Sequence, residues 1–93
     1  MNAKVTQIAE KLSMPEDQLI LEGIRAVLRD QVALLEAERR VRCAKFGVAS
    51  LEEMDTLIRE GKVKEEEILE DFQQVDYLTA RIKELQITLQ SVQ

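Results

Sequence analysis

From Ser13 to Phe46 the chain reads SMPEDQLILEGIRAVLRDQVALLEAERRVRCAKF, and after Pro15 only Gly23 interrupts a run of helix-compatible residues. The pattern predicts one helix over residues 14–46, about 50 Å long at about 1.5 Å per residue. Its expected start is a capping box, Ser13 with Glu16 three residues on, and Pro15 in the first turn, where a missing N–H costs nothing. Its expected end is Gly47 in the left-handed C′ position. Arg39, Arg40, Arg42 and Lys45 precede it, where the helix dipole favours positive charge. A rod of that length exceeds what one globular core of 93 residues requires, so something else must cover it.

The apolar residues show on how many sides cover is needed. Ile20, Val27, Leu34 and Val41 recur every seven residues on one stripe, and Leu21, Leu28, Leu35 and Phe46 fill a neighbouring one with Ile24 between. Gly23, Ala26, Ala33, Ala37 and Ala44 lie alongside, so the apolar and small arc spans roughly two thirds of the circumference, against roughly one third for an ordinary surface helix. One antiparallel neighbour leaves much of it bare. The alanines serve either helix propensity or a close helix crossing in a homodimer. On the second reading the dimer interface is Ile20, Gly23, Ile24, Ala26, Val27 and Leu34.

The remaining segments supply the neighbour. Residues 4–12 form a short helix with Val5, Ile8, Ala9 and Leu12 on one face. Residues 51–60 form another, opened by a Ser50–Glu53 capping box and closed by Gly61, with Leu51, Met54, Leu57 and Ile58 on one face. Over residues 64–91 the pattern narrows to a coiled-coil stripe: Ile68, Val75, Ile82 and Leu89 every seven residues, with Leu78, Leu85 and Val92 three positions after their partners. Asp71 breaks the first d position, and Phe72 beside it is expected to take over the packing. The intervening segment is short, so this helix should return antiparallel to the central one. The expectation is an all-α single domain over residues 1–93, a long antiparallel helical hairpin with short N-terminal and connecting helices that dimerises into a helical bundle.

Composition narrows the chemistry. With no His and one Cys, Cys43, a zinc site and a Ser-His or Cys-His nucleophile pair cannot be assembled from one chain. Gly23, Gly47 and Gly61 are too far apart for a phosphate-cradling loop. Glu67 and Glu70, with Glu66, make an E-x-x-E spacing, but Glu36 and Glu38 sit two apart and offer no facing acidic pair for magnesium chemistry. No enzyme activity and no cofactor are expected. A lone cysteine suits a reducing compartment, MNAKVTQIAEKL has no apolar leader, and no run approaches the ~18 apolar residues of a membrane span, so a cytoplasmic protein without membrane contact is expected. The net charge of −5 is uneven. Residues 1–49 carry eight basic and seven acidic side chains, a net of +1, and residues 50–93 carry five basic and eleven acidic, a net of −6. Such an acidic half repels phosphate backbones and suits a basic protein partner.

The run IAEKLSMPEDQLILEGIRAVLRDQ resembles the helical half of ribbon-helix-helix repressors, with Ile8, Leu12, Leu19, Ile20, Gly23, Ile24 and Leu28 on the corresponding core positions. The rest, through KFGVASLEEMDTLIREGKV to the closing heptads, resembles small helical antitoxins of prokaryotic toxin-antitoxin operons. The resemblance implies a non-enzymatic interaction module that neutralises a basic toxin. The residues expected to meet that partner are Glu52, Glu53, Glu60, Glu66, Leu69, Glu70 and Tyr77. The alternative is a coiled-coil adaptor or chaperone-like hairpin, and the third reading is a DNA-binding transcriptional regulator. DNA is the weakest expectation, because repressors of that kind read the major groove with an N-terminal strand and only Met1 to Lys4 precede the first helix here.

Overall fold

The computed structural model describes residues 2–93. It contains α1 (Ala3–Lys11), α2 (Glu16–Ala44), α3 (Leu51–Arg59) and α4 (Glu65–Ser91), and no strand among the described residues. Met1, counted from sequence among the residues ahead of the first helix, lies outside them.

α2 and α4 form the expected antiparallel hairpin, and three polar contacts fix its register. Near the connection, Asp71 accepts from Arg42 Nη1 at 2.9 Å and from Lys45 Nζ at 3.2 Å. In the middle, Arg39 Nη1 donates to Thr79 Oγ1 at 3.4 Å. At the open end, Arg25 Nε donates to the Val92 carbonyl at 2.9 Å, capping the last turn of α4. α4 therefore stops level with Arg25, and the first turns of α2 project beyond it. The molecule measures 60 × 20 × 17 Å with a radius of gyration of 19.2 Å, against about 12 Å for a compact domain of this length.

The core follows the heptads of α4. Ile68, Val75, Leu78 and Ile82 are buried, and α3 lays Met54 across them as a clip. Cys43, Met54, Ile68 and Val75 form the central cluster, with Phe46, Val48, Leu51, Leu57, Ile58, Val63 and Phe72 packed around it. Phe72 thus joins the packing beside Asp71 as expected. Asp71 itself turns inward as well, and is the one buried charged residue among those described.

The turns close by one device used three times. Val48 N–H reaches the Cys43 carbonyl at 3.2 Å and Gly47 N–H that of Ala44 at 3.1 Å, while Lys62 N–H reaches Leu57 at 3.0 Å and Gly61 N–H reaches Ile58 at 3.1 Å. These are Schellman pairs, with Gly47 and Gly61 at φ of 67° and 68°. The third corrects the expectation for Ser13. Its φ is +54°, its N–H bonds the Glu10 carbonyl at 3.1 Å, and Met14 N–H bonds that of Ala9 at 2.9 Å. Ser13 therefore ends α1 instead of capping α2. Pro15 is the N-cap of α2 and makes no side-chain cap bond, while Glu16 Oε1 accepts from Thr6 Oγ1 on α1. The physical reason is Pro15, which holds Met14 extended and leaves the residue before it to make the reversal.

The two roles predict opposite signs. A Ser N-cap replaced by Gly loses a few tenths of a kcal/mol, whereas a non-glycine residue held left-handed gains up to about 1 kcal/mol on the same change. Ser13→Gly is expected to raise the urea midpoint; a lower midpoint would restore the cap. At the second connection the box does form. Glu53 N–H donates to Ser50 Oγ at 3.1 Å, and the Glu53 carboxylate reaches back one residue further than usual, to Ala49 N–H.

Candidate functional site

Among the described residues no cleft gathers reactive groups. Among the described residues no group of three or more His, Cys, Asp or Glu could hold a metal ion, and no helix is long and apolar enough to cross a membrane. Cys43 is buried in the central cluster. Burial raises its thiol pKa, with Arg39 opposing weakly and Glu53 adding to the rise. The surfaces that remain are the outward faces of the two long helices.

α2 turns Val32 and Cys43 inward, and its opposite side carries the seven-residue row. Val27, Leu34 and Val41 keep 61%, 64% and 65% of their surface exposed, and Ile20 keeps 40%. All six residues expected at a dimer interface, Ile20, Gly23, Ile24, Ala26, Val27 and Leu34, are exposed. A Cβ built on Gly23 would meet nothing within 4 Å. Midway along, Asp30, Ala33 and Leu34 line a shallow, mostly apolar depression. Val41, outside the expected interface, shares the row, and its seven-residue spacing from Leu34 is the sequence signal that joins it to this face. Leu21 belongs to the inward stripe yet stays exposed, because α4 has already ended at its level. Ile8 and Leu12, two of the four residues expected to form the apolar face of α1, also remain uncovered, and only Ala9 is buried there.

The residues expected to meet a partner fall into two groups. Glu66, Leu69, Glu70 and Tyr77 are all exposed on α4, and at 100° per residue they fall on the side away from Ile68, Val75 and Ile82, with Ile87 further along. Glu52, Glu53 and Glu60 lie on α3 or at its end, away from that row. Glu53 is engaged in the cap, and Glu60 pairs with Lys62 at 2.9 Å. The Lys62 hydrogen bond and charge lower the Glu60 pKa and are matched by a rise in that of Lys62. Among the acids in the first two turns of α4, Asp71 is the one that pairs with the basic turns of α2. Glu65, Glu66, Glu67 and Glu70 stay in solvent. Arg39 and Arg42 both engage α4, which accounts for most of the basic cluster, while Arg40 points to solvent.

The comparisons with known proteins bear on the chain as a whole. Residues 1–93 match the family described as "Uncharacterized protein MJ0235 family". The chain belongs to that family. It is similar to a member from Methanocaldococcus jannaschii, "Uncharacterized protein MJ0235", at 26% identity over 76 residues, covering 82% of this chain and 93% of that protein. No solved structure matches it. Neither family description names an activity or a partner, so the likeness to antitoxins rests on the residues quoted for it above.

Proposed function

We propose that the chain is a non-enzymatic protein-binding module whose hairpin presents interaction faces on both sides. One observation carries this reading: among the described residues, eleven large hydrophobic side chains are exposed against eight buried hydrophobic ones, and nine of the eleven lie along α2 and α4 instead of scattered singly. Rows of that kind mark protein contacts, whereas isolated exposed apolar residues do not. The α2 row serves self-association. The α4 row, with Glu66 and Glu70 beside Leu69 and Tyr77, suits a basic partner with an apolar centre, its acids orienting the encounter and its apolar residues supplying most of the affinity.

The narrower reading is an antitoxin-like protein that neutralises a basic toxin. It draws on the resemblance of the chain from KFGVASLEEMDTLIREGKV through the closing heptads to such antitoxins, and on the acidity of residues 50–93. A coiled-coil adaptor or chaperone-like hairpin is the second reading, favoured by the 60 Å length of the molecule. A DNA-binding transcriptional regulator is the third reading, and a gel shift on the protein's own promoter tests it.

Co-expression with the product of the adjacent gene tests the proposal. A complex with a small basic protein is expected, and Leu69→Arg with Tyr77→Ala should abolish co-purification while helicity by circular dichroism is unchanged. Relief of growth arrest by the wild-type chain, lost in the same variant, selects the antitoxin reading over the adaptor. A complex indifferent to both substitutions removes the α4 face from the proposal.

A further inference from the structure

We infer that the occupant of the outward α2 face is the same face of a second copy, running antiparallel, with Val27 of one protomer opposite Leu34 of the other. This rests on the self-association read above and adds its direction and register.

The charges of α2 decide the direction. Residues 16–30 carry Glu16, Asp17, Glu22 and Asp30 against Arg25 and Arg29. Residues 31–45 carry Glu36 and Glu38 against Arg39, Arg40, Arg42 and Lys45. The first half is net −2 and the second net +2. A parallel pair sets like halves side by side, whereas an antiparallel pair sets acid against base.

The apolar row fixes the register. With Val27 level with the other protomer's Leu34, Ile20 falls level with Val41, and all four row positions are matched. The depression lined by Asp30, Ala33 and Leu34 sits at the centre of that arrangement. Its residues are spaced i, i+3 and i+4, three corners of the four-residue hole into which a facing knob inserts. Val27 is a knob of suitable size. Open space at Gly23 lets the second backbone approach. At either end α1, tied to the first turn of α2 through Thr6 and Glu16, brings the exposed Ile8 and Leu12 to the outer layers of the contact.

Cysteine cross-linking tests this in the full chain, because buried Cys43 does not compete. An oxidised mixture of Val27→Cys and Leu34→Cys chains is expected to give a covalent heterodimer, and Val27→Cys alone is expected to give none. Sedimentation equilibrium should show a dimer whose dissociation constant rises at least about tenfold, about 1.4 kcal/mol, in Leu34→Lys. It should also rise with ionic strength, since salt screens the attraction between the acidic half of one α2 and the basic half of the other. Self-linking of Val27→Cys would make the pair parallel and overturn the inference while leaving self-association standing. A monomer at all concentrations would end both, and the α4 reading would survive on its own test.

Discussion

Ile68→Ala is expected to destabilise the chain by about 2–5 kcal/mol, the cost of a cavity at a fully buried aliphatic site. Ile68 has no exposed surface and touches the cluster of Cys43, Met54 and Val75. That cluster joins α2, α3 and α4 at one point. A domain of this size holds only about 5–14 kcal/mol in all, so a single truncation removes a large share. Urea unfolding should show the midpoint falling with little change in slope. Leu34→Ala is the matching control. It deletes the same chemistry from an exposed site, so any loss should depend on protein concentration as the loss at Ile68 does not. A cost below about 1 kcal/mol at Ile68 would mean that the three helices do not meet there.

Asp71→Ala is the second large effect, expected at about 1–3 kcal/mol. The carboxylate accepts from Arg42 at 2.9 Å and Lys45 at 3.2 Å. Lys45 is half exposed, so its share is small. Arg42 is mostly covered, and its Nε makes no hydrogen bond but lies 3.6 Å from the Glu38 carboxylate, so removing Asp71 leaves the guanidinium with that looser, more exposed ion pair. The comparison that isolates this is a double-mutant cycle with Arg42→Met, where a coupling of about 0.5–3 kcal/mol is expected. Replacing both residues with apolar ones should recover much of the loss, because a buried pair stabilises little over well-packed hydrophobic residues. Coupling near zero would show that Asp71 does not act through Arg42. An apolar residue at this d position would fit several registers of the two helices. A carboxylate that must meet Arg42 fits one.

The heptads of α4 translated directly into burial at Ile68, Val75, Leu78 and Ile82, because a narrow 3.5-residue stripe has only one way to face a single neighbour. The broad arc of α2 had no such unique solution. Periodicity alone could not say which part would meet α4 and which would be left bare. The two S-x-x-E patterns show the limit at finer scale. Ser50 caps α3, while Ser13 closes α1, and the difference lies in Pro15, whose restriction on Met14 competes with the cap. The Ser50–Glu53 pattern already assigned Glu53 to the cap, but that Glu60 also serves the chain itself was not legible, since it depends on Lys62 meeting it beyond the end of α3. Leu69, Glu70 and Tyr77 come together on α4 by helical geometry alone, so their grouping was legible in advance.

The Arg25 contact with the Val92 carbonyl has a mechanical consequence. The cluster that ties three helices together lies at the connected end of the hairpin, while the far end is held by part-buried Leu85, Leu89 and Val92 and that single guanidinium. Opening of a single chain therefore begins at its tips and travels toward α3, as a pair of tongs opens from its points. A second molecule lying across α2 head to tail would set the firm root of each hairpin against the loose tips of the other.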